Sequence, residues 1–173
     1  LAVININASS ASSSVACDSI LPESITRSLI KDYPNWKIAT LEMLNTEDRV
    51  AWSKRKPSAC PGITVGNFED SKSGPKQYAV LLHSQDGPAN SLVLLAKTLA
   101  TNQIEIDRIT LWQSSYSLTV SRLPPGKYRD YYQREQNRHI EVKNDVLVVG
   151  LPTGRATAFY FEKKQLRTFS LTD

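Results

Sequence analysis

The sequence is poor in the residues on which several common kinds of site depend. Its 173 residues include seven glycines, two histidines and two cysteines, and the glycines do not group into a phosphate-binding loop. His83 and His139 have no cysteine at the spacing that a zinc site requires. A Gly-x-Ser-x-Gly hydrolase motif is absent as well. We therefore predict no nucleotide, no metal and no other cofactor.

Charge and hydropathy exclude further classes of protein. No apolar run reaches the length of about 18 residues that a membrane-spanning helix needs. The net charge of +4 is a smaller basic excess than a nucleic-acid-binding stripe shows. A hydrophobic content of 40% excludes a disordered chain. We expect neither membrane insertion nor a nucleic-acid partner.

The length fits one folded domain. Residues 1–19 include a Ser-rich stretch with few core-forming side chains, which we expect to be a flexible leader. Residues 20–173 are then a single α+β domain. Because the first residue is Leu, we also expect that a secretory signal has been removed.

The two cysteines lie in polar surroundings. Cys17 follows the Ser-rich stretch, and Cys60 lies in a turn-like Ser-Ala-Cys-Pro-Gly segment. Neither belongs to an apolar periodic run, where a buried free thiol usually lies, although the count of two alone leaves free thiols open. We predict a disulfide between Cys17 and Cys60, which implies an oxidising compartment.

Hydrophobic periodicity predicts two helices followed by a run of short strands. A first helix begins near Pro22 and ends at Tyr33, a strand covers 36–44, and Thr46 caps a second helix whose basic end, 54–56, is solvated. From Ile63 onward, turn residues separate strands that are too closely spaced for crossover helices. These strands cover 63–68, 77–83, 91–97, 104–112, 116–122, 138–142, 145–151, 156–162 and 165–171. We predict N-terminal helices packed on a mainly antiparallel, meandering β-sheet.

No set of residues assembles into a catalytic motif. His83, Ser84 and Asp86 have the residue types of a triad, but neighbours on a strand point to opposite faces. A strand end with a turn explains them better. Carboxylate pairs for glycoside hydrolysis exist, yet nothing singles one out; they come from Glu42, Glu47, Asp48, Glu69 and Asp70. We predict no catalytic residue and no enzymatic activity.

The segment 67–80 resembles the Asp-rich loop and following strand of calcium-binding propeller repeats. Calcium needs hard oxygen ligands at alternate positions. Here Lys72 and Lys76 bring two positive charges into the loop, which oppose a bound dication. We interpret the segment as a hairpin connection without a metal.

The segment 123–139 interleaves tyrosines with basic residues. Tyr and Arg are enriched where protein interfaces concentrate their binding energy, because each offers contact area and a polar group. We predict that a protein partner binds Tyr128, Arg129, Tyr131, Tyr132 and Arg134. In the alternative interpretation, the tyrosines cover a sheet edge and the arginines are merely solvated.

Several short motifs occur in a characteristic order: Tyr33-Pro-Asn-Trp36, Cys60-Pro-Gly62, Tyr78-Ala-Val-Leu-Leu82, Pro125-Gly-Lys-Tyr128 and the final Ser-Leu-Thr-Asp173. Together they resemble a family of small exported, mostly uncharacterised bacterial proteins, over about residues 20–173. The loop 67–74 has less Asp and Gly than the family pattern. The resemblance implies an exported location and no particular reaction.

The sequence thus favours an exported bacterial protein-binding module. Its most concrete form is a periplasmic immunity protein or inhibitor of a cell-wall-degrading toxin or lysozyme-like enzyme. One alternative is a cell-wall-active hydrolase with unidentified carboxylates. Another is a glycan-binding or small-ligand-binding module that uses Trp52 or Trp112 as a stacking platform, although core packing accounts for the tryptophans more simply.

Overall fold

The computed structural model describes residues 17, 19–56, 60–69, 74–86, 90–113, 117–131 and 139–171. Within these residues the helices are α1 (Glu23–Asp32) and α2 (Thr46–Arg55), with a 3-10 helix at Leu41–Met43. The strands are β1 (Trp36–Ile38), β2 (Ile63–Gly66), β3 (Gln77–Ser84), β4 (Asn90–Thr98), β5 (Ile104–Gln113), β6 (Thr119–Leu123), β7 (Gly126–Arg129), β8 (His139–Val142), β9 (Val146–Gly150), β10 (Ala156–Glu162) and β11 (Gln165–Ser170).

Both predicted helices are present, and Tyr33 caps the end of α1 as expected. The cap of α2 is a correction, because the Asn45 side chain, not that of Thr46, accepts the hydrogen bond from the Asp48 backbone N–H. The predicted strand over 36–44 is too long: β1 ends at Ile38, and a 3-10 turn follows. Strand β7 was not predicted.

The strands divide into antiparallel sheets, not one meandering sheet as predicted. Sheet A has the order β1-β3-β4-β5, and β2 also pairs with β3, end to end with β1. Sheet B has the order β11-β10-β9-β6, and β7 and β8 pair as a separate hairpin. The α+β class is confirmed, with strands predominating among the described residues.

Sheet A is covered on both faces, which explains the continuous apolar runs of β3 and β4. On one face, Ile25 and Leu29 of α1 pack with Leu82 and Leu94. On the other face, alternate residues of the same strands pack against the inner face of sheet B, where Val120, Leu147, Val149 and Phe159 lie. Sheets A and B therefore form a sandwich with α1 outside it.

Two separate elements cover the outer face of sheet B, which is the face that points away from sheet A. The β7–β8 hairpin places Ile140 and Val142 over Val146, Ala158 and Tyr160. Helix α2 lies beside the same face, near β6 and β9, through its buried Trp52. The two helices thus lie on different sides of the sandwich, whereas the prediction packed N-terminal helices on a single sheet.

The predicted disulfide joins Cys17 to Cys60. Both cysteines are buried, with 1% and 2% of their surface exposed, among the side chains between α1 and sheet A. Their polar sequence neighbours did not predict this burial. Cys17 falls within the predicted leader, whose residues 1–16 lie outside the described part of the chain.

The Cys60-Pro-Gly62 motif connects the two sheets. The Pro61 carbonyl accepts a hydrogen bond from the Val120 backbone N–H, at 2.8 Å, on sheet B. The Gly62 carbonyl accepts one from the Leu81 N–H on sheet A, also at 2.8 Å. A Cβ on Gly62 would collide with the backbone of Ala39, so only glycine fits there.

No helix in the described part of the chain is long and apolar enough to cross a membrane.

Candidate binding surface and pocket

The five predicted partner-binding residues do not share one environment in the structure. Tyr128 is half-buried: its ring stacks on Phe169 with centroids 5.7 Å apart, and its hydroxyl donates to the Pro124 carbonyl. Arg129 and Tyr131 are exposed, and the Arg129 guanidinium lies over the Tyr131 ring, 5.3 Å from its centroid. Tyr132 and Arg134 lie outside the described residues.

Alternation along an extended chain produces this separation. Tyr128 and Asp130 point inward, where the Asp130 carboxylate accepts a hydrogen bond from the Ser170 N–H at 3.2 Å. The Tyr131 N–H in turn donates to the Ser170 carbonyl at 3.0 Å. Lys127, Arg129 and Tyr131 are the exposed residues before, between and after these anchors, and we name them the hairpin stripe.

The hairpin stripe is basic and aromatic. Across the hairpin, Lys127 is opposite Glu141 and Arg129 is opposite His139, with both partners exposed on β8. Burial, and then the negative charge of Asp145, raise the pKa of Tyr128, so its hydroxyl stays protonated and continues to donate. The stripe is therefore displayed on a backbone that packing beneath it holds in place.

His83 and Ser84 do not meet each other. The His83 Nδ1 lies 2.8 Å from the hydroxyl of Ser91, its cross-strand partner on β4. The Ser84 hydroxyl instead donates to the backbone carbonyl of Asp86, at 2.7 Å, as a turn does. Burial lowers the pKa of His83. Ser91 is fully buried, so the His83–Ser91 pair is a hydrogen bond of the sheet and offers substrate no access.

Among the carboxylates considered for catalysis, Asp48 is a structural residue. It is 2% exposed, and its Oδ1 accepts a hydrogen bond of 2.6 Å from the Thr153 hydroxyl. Its Oδ2 accepts one of 2.6 Å from the Asn45 side-chain amide. Asp48 thereby ties the first turn of α2 to the turn between β9 and β10.

Glu69 belongs to a polar cluster at one end of sheet A. Lys97 Nζ lies 2.7 Å from both Glu69 Oε2 and Glu105 Oε1. Burial lowers the pKa of Lys97, but the hydrogen bonds that its ammonium donates to Glu105 and Glu69, together with their negative charges, outweigh burial and raise the pKa overall. Burial, followed by the charge of Glu105, raises the pKa of the neighbouring Asp107.

Hydrogen bonds of this cluster hold the first residues of the loop that resembles a calcium-binding loop. The buried Gln77 side chain accepts hydrogen bonds from the backbone N–H groups of Phe68 and Glu69, at 2.8 and 2.9 Å. Its amide donates to Glu69 Oε2 at 2.7 Å. The Glu69 carboxylate is thus occupied by Gln77 and Lys97. Among the described residues no group of three His, Cys, Asp or Glu side chains has a metal-binding arrangement; residues 70–73 lie outside the description.

A pocket of about 190 Å³ lies on the outer face of sheet B, beside the end of α2. Its walls are Trp52 and Lys56 from the end of α2 and Leu171 after β11. Its floor is built from small side chains of the sheet, including Ser121 and Ala156. We name it the Trp52 pocket.

Lys56 is the unusual residue of this pocket. The sequence suggested a solvated helix end over 54–56, but Lys56 is half-buried with its Nζ 5.5 Å from the Trp52 ring centroid. Burial, and then the charge of Arg122, lower the pKa of Lys56. Lys54 and Arg55 are exposed, as predicted.

The tryptophans are not open stacking platforms. Trp52 is 6% exposed, and Trp112 packs edge-on against Phe159 with ring centroids 5.7 Å apart. The Trp52 pocket was not predicted because its residues are widely separated in the sequence. The feature of the pocket that is visible in the sequence is the basic run 54–56 after Trp52. The favourable interaction of basic side chains with the negative end of a helix dipole explains that run equally well.

Comparison of the chain with protein-family models, with curated proteins and with solved structures found no match. The resemblance to a family of exported bacterial proteins therefore stays a prediction.

Proposed function

We propose that the chain is an exported bacterial protein-binding module that uses the hairpin stripe to engage its partner. The observation that carries the proposal is the display of Arg129 and Tyr131 beside two inward-facing anchors, the half-buried Tyr128 and the buried Asp130. Tyr128 is stacked on Phe169, and Asp130 is hydrogen-bonded to Ser170, so both neighbours of Arg129 are fixed. Contacts held in place before binding lose less conformational entropy when the partner arrives.

The chemistry of the stripe favours an acidic partner surface. Lys127 and Arg129 contribute positive charge, and Tyr131 adds an aromatic face that the guanidinium already contacts. Arg forms bidentate hydrogen bonds with carboxylates, which makes Arg129 the expected anchor. Glycoside hydrolases carry a pair of catalytic carboxylates in their clefts. A periplasmic immunity protein or inhibitor of a cell-wall-degrading toxin or lysozyme-like enzyme is the form of the proposal that matches this chemistry.

The disulfide supports the exported location. Disulfides persist in oxidising compartments such as the bacterial periplasm and are rare in the cytosol. The Cys17–Cys60 bond is buried between α1 and sheet A and closes part of the core. Membership of the exported bacterial family is part of the same proposal.

The test is affinity capture from periplasmic and secreted fractions, with the tagged chain as bait and mass spectrometry as the readout. We expect a stoichiometric partner that is lost when Arg129→Ala and Tyr131→Ala are combined. The matched control is Arg108→Ala, which removes an exposed arginine from β5 on the opposite sheet. Melting temperatures of all variants should stay close to that of the original chain.

Two outcomes would contradict the proposal. In the first, no partner is captured in stoichiometric amount from either fraction. In the second, a partner is captured equally well by the double variant. Hydrolysis of peptidoglycan by the purified chain, abolished by one Asp or Glu substitution, would favour the hydrolase alternative instead.

A further inference from the structure

The charged side chains in the described lining of the Trp52 pocket are all positive. Its described lining contains two cationic side chains, Arg55 and Lys56, and no carboxylate. Among the described residues, no carboxylate forms an ion pair with Lys56. Arg122, which forms an ion pair of 3.3 Å with Asp145 and does not line the pocket, also lowers the pKa of Lys56, after the larger effect of burial. A half-buried ammonium usually has a paired anion, because desolvating an unpaired charge is costly.

The rest of the pocket is apolar and small. Val148 and Leu171 contribute aliphatic surface next to the packed cluster beneath the hairpin, and Trp52 contributes its ring. The floor residues Ser121 and Ala156 leave the space open because their side chains are short. At about 190 Å³ the pocket is below the range of about 300–1,000 Å³ that drug-sized ligands occupy. It fits a compact ligand.

We infer that the Trp52 pocket binds a small organic carboxylate with an apolar body. Lys56 contacts the carboxylate, and the apolar body packs on Val148, Ala156 and Leu171. The carboxylate has two sources with the same chemistry: a free acid, or the C-terminal carboxylate of a peptide. The inference does not depend on the hairpin stripe, because none of the stripe residues lines the pocket.

The different positions of Lys54 and Lys56 explain why an anion would bind in the pocket and not elsewhere at the C-terminal end of α2. Lys54 is exposed on the same last turn of α2, whereas Lys56 lies at the C-cap and leans over Trp52. The Lys56 ammonium thus lies over the Trp52 ring, and the Lys56 side chain lines the pocket. A bound carboxylate would supply a counter-charge to Lys56 without displacing an ion pair of the described residues.

The experiment is a titration followed by NMR, with two carboxylate probes and their neutral amides. Benzoate represents a free acid and N-acetyl-leucine a peptide C-terminus; benzamide and N-acetyl-leucine amide are the matched neutral compounds. We expect at least one carboxylate to saturate shifts of the Trp52 indole and the Ala156 methyl group. The amide partners should bind at least about tenfold more weakly, as the loss of one charge-assisted hydrogen bond predicts.

Three variants locate the site. Lys56→Met keeps the aliphatic stem and removes the charge, and should weaken carboxylate binding at least about tenfold. Ala156→Leu fills the floor without changing any charge and should also abolish binding. Lys54→Met removes a neighbouring exposed charge and should leave binding unchanged. Ala156→Leu keeps the inference testable if Lys56→Met fails to fold.

The relative affinity of the two probes identifies the source. Tighter binding of benzoate indicates a free acid, and tighter binding of N-acetyl-leucine indicates a peptide C-terminus; either supports the inference. Absence of saturable shifts with both carboxylates would overturn it. Equal affinity for the carboxylates and their amides, or unchanged affinity in both Lys56→Met and Ala156→Leu, would overturn it too.

Discussion

Sheet A and the outer face of sheet B are covered in different ways. Sheet A packs against α1 on one side and sheet B on the other, with apolar side chains and a buried disulfide. The outer face of sheet B is covered in two parts, by the β7–β8 hairpin and by α2, and the Trp52 pocket lies on this face beside α2. Continuous apolar packing gives stability, whereas a cover made in pieces leaves room for a pocket and a displayed stripe.

The disulfide provides the largest expected effect on the well-covered side. Cys17 and Cys60 are separated by 43 residues, and releasing a loop of that length should lower the free energy of unfolding by about 4 kcal/mol. The measurement is urea unfolding of the Cys17→Ala/Cys60→Ala double variant against the oxidised chain. An unchanged urea midpoint would mean that the disulfide does not stabilise the packing of α1 on sheet A.

The polar attachment of α2 to sheet B should be the next most sensitive point. Asp48→Ala removes the acceptor of Thr153 and Asn45 inside a buried site. We expect the free energy of unfolding to fall by about 3 kcal/mol. Glu47→Ala is the control, because it removes an exposed acid from the same turn and should change stability by less than about 0.5 kcal/mol. Equal effects of the two substitutions would contradict the structural role of Asp48.

Tyr128 and Arg129 test the hairpin at neighbouring positions. Tyr128→Ala removes the ring stacked on Phe169 and should cost about 2 kcal/mol of unfolding free energy. Arg129→Ala should cost less than about 0.5 kcal/mol because its side chain is exposed. Chemical denaturation of both variants measures the difference. A larger loss from Arg129→Ala would show that the stripe supports the fold.

The smallest expected effect is a pH dependence of the unfolding free energy that arises from His83, near the end of β3. Because burial lowers the folded-state pKa of His83 below its ordinary 6.5, the unfolded chain binds more protons in the interval between the two values. Stability from this group is complete above pH 6.5 and is lost as the pH falls below it.

The measurement is unfolding free energy against pH for His83→Gln, which should have a shallower slope just below pH 6.5 than the original chain. His139→Gln, the same substitution at an exposed position on β8, serves as the matched control. A slope that persists in His83→Gln would assign the pH dependence to other groups.

The sequence predicted the well-covered region better than the divided one. The apolar runs at 77–83 and 91–97 identified β3 and β4 because central strands need apolar side chains on both faces. In contrast, β7 was overlooked, since its inward residue Tyr128 is followed by the buried but charged Asp130. Period-two alternation is hard to recognise when the inward side chains are polar or amphipathic.

The candidate sites were predictable only in part. The Tyr- and Arg-rich composition pointed to the hairpin, but only the structure shows that Tyr128 packs inward while Arg129 and Tyr131 face outward. The Trp52 pocket brings together residues more than a hundred positions apart, such as Trp52 and Ala156. Contacts of that range depend on the order of the strands in sheet B, which local patterns do not specify.

Hydrogen exchange of the free chain and of its complex with the captured partner tests the division between the two regions most directly. In the free chain, the amides of β3 and β4 should exchange most slowly, because these strands are paired on both sides and packed in apolar clusters on both faces. Binding should slow exchange in 126–131 and 139–142 and leave α1 and β3 unchanged. Slowing on α1 and the edge of sheet A, with the hairpin unaffected, would contradict the account.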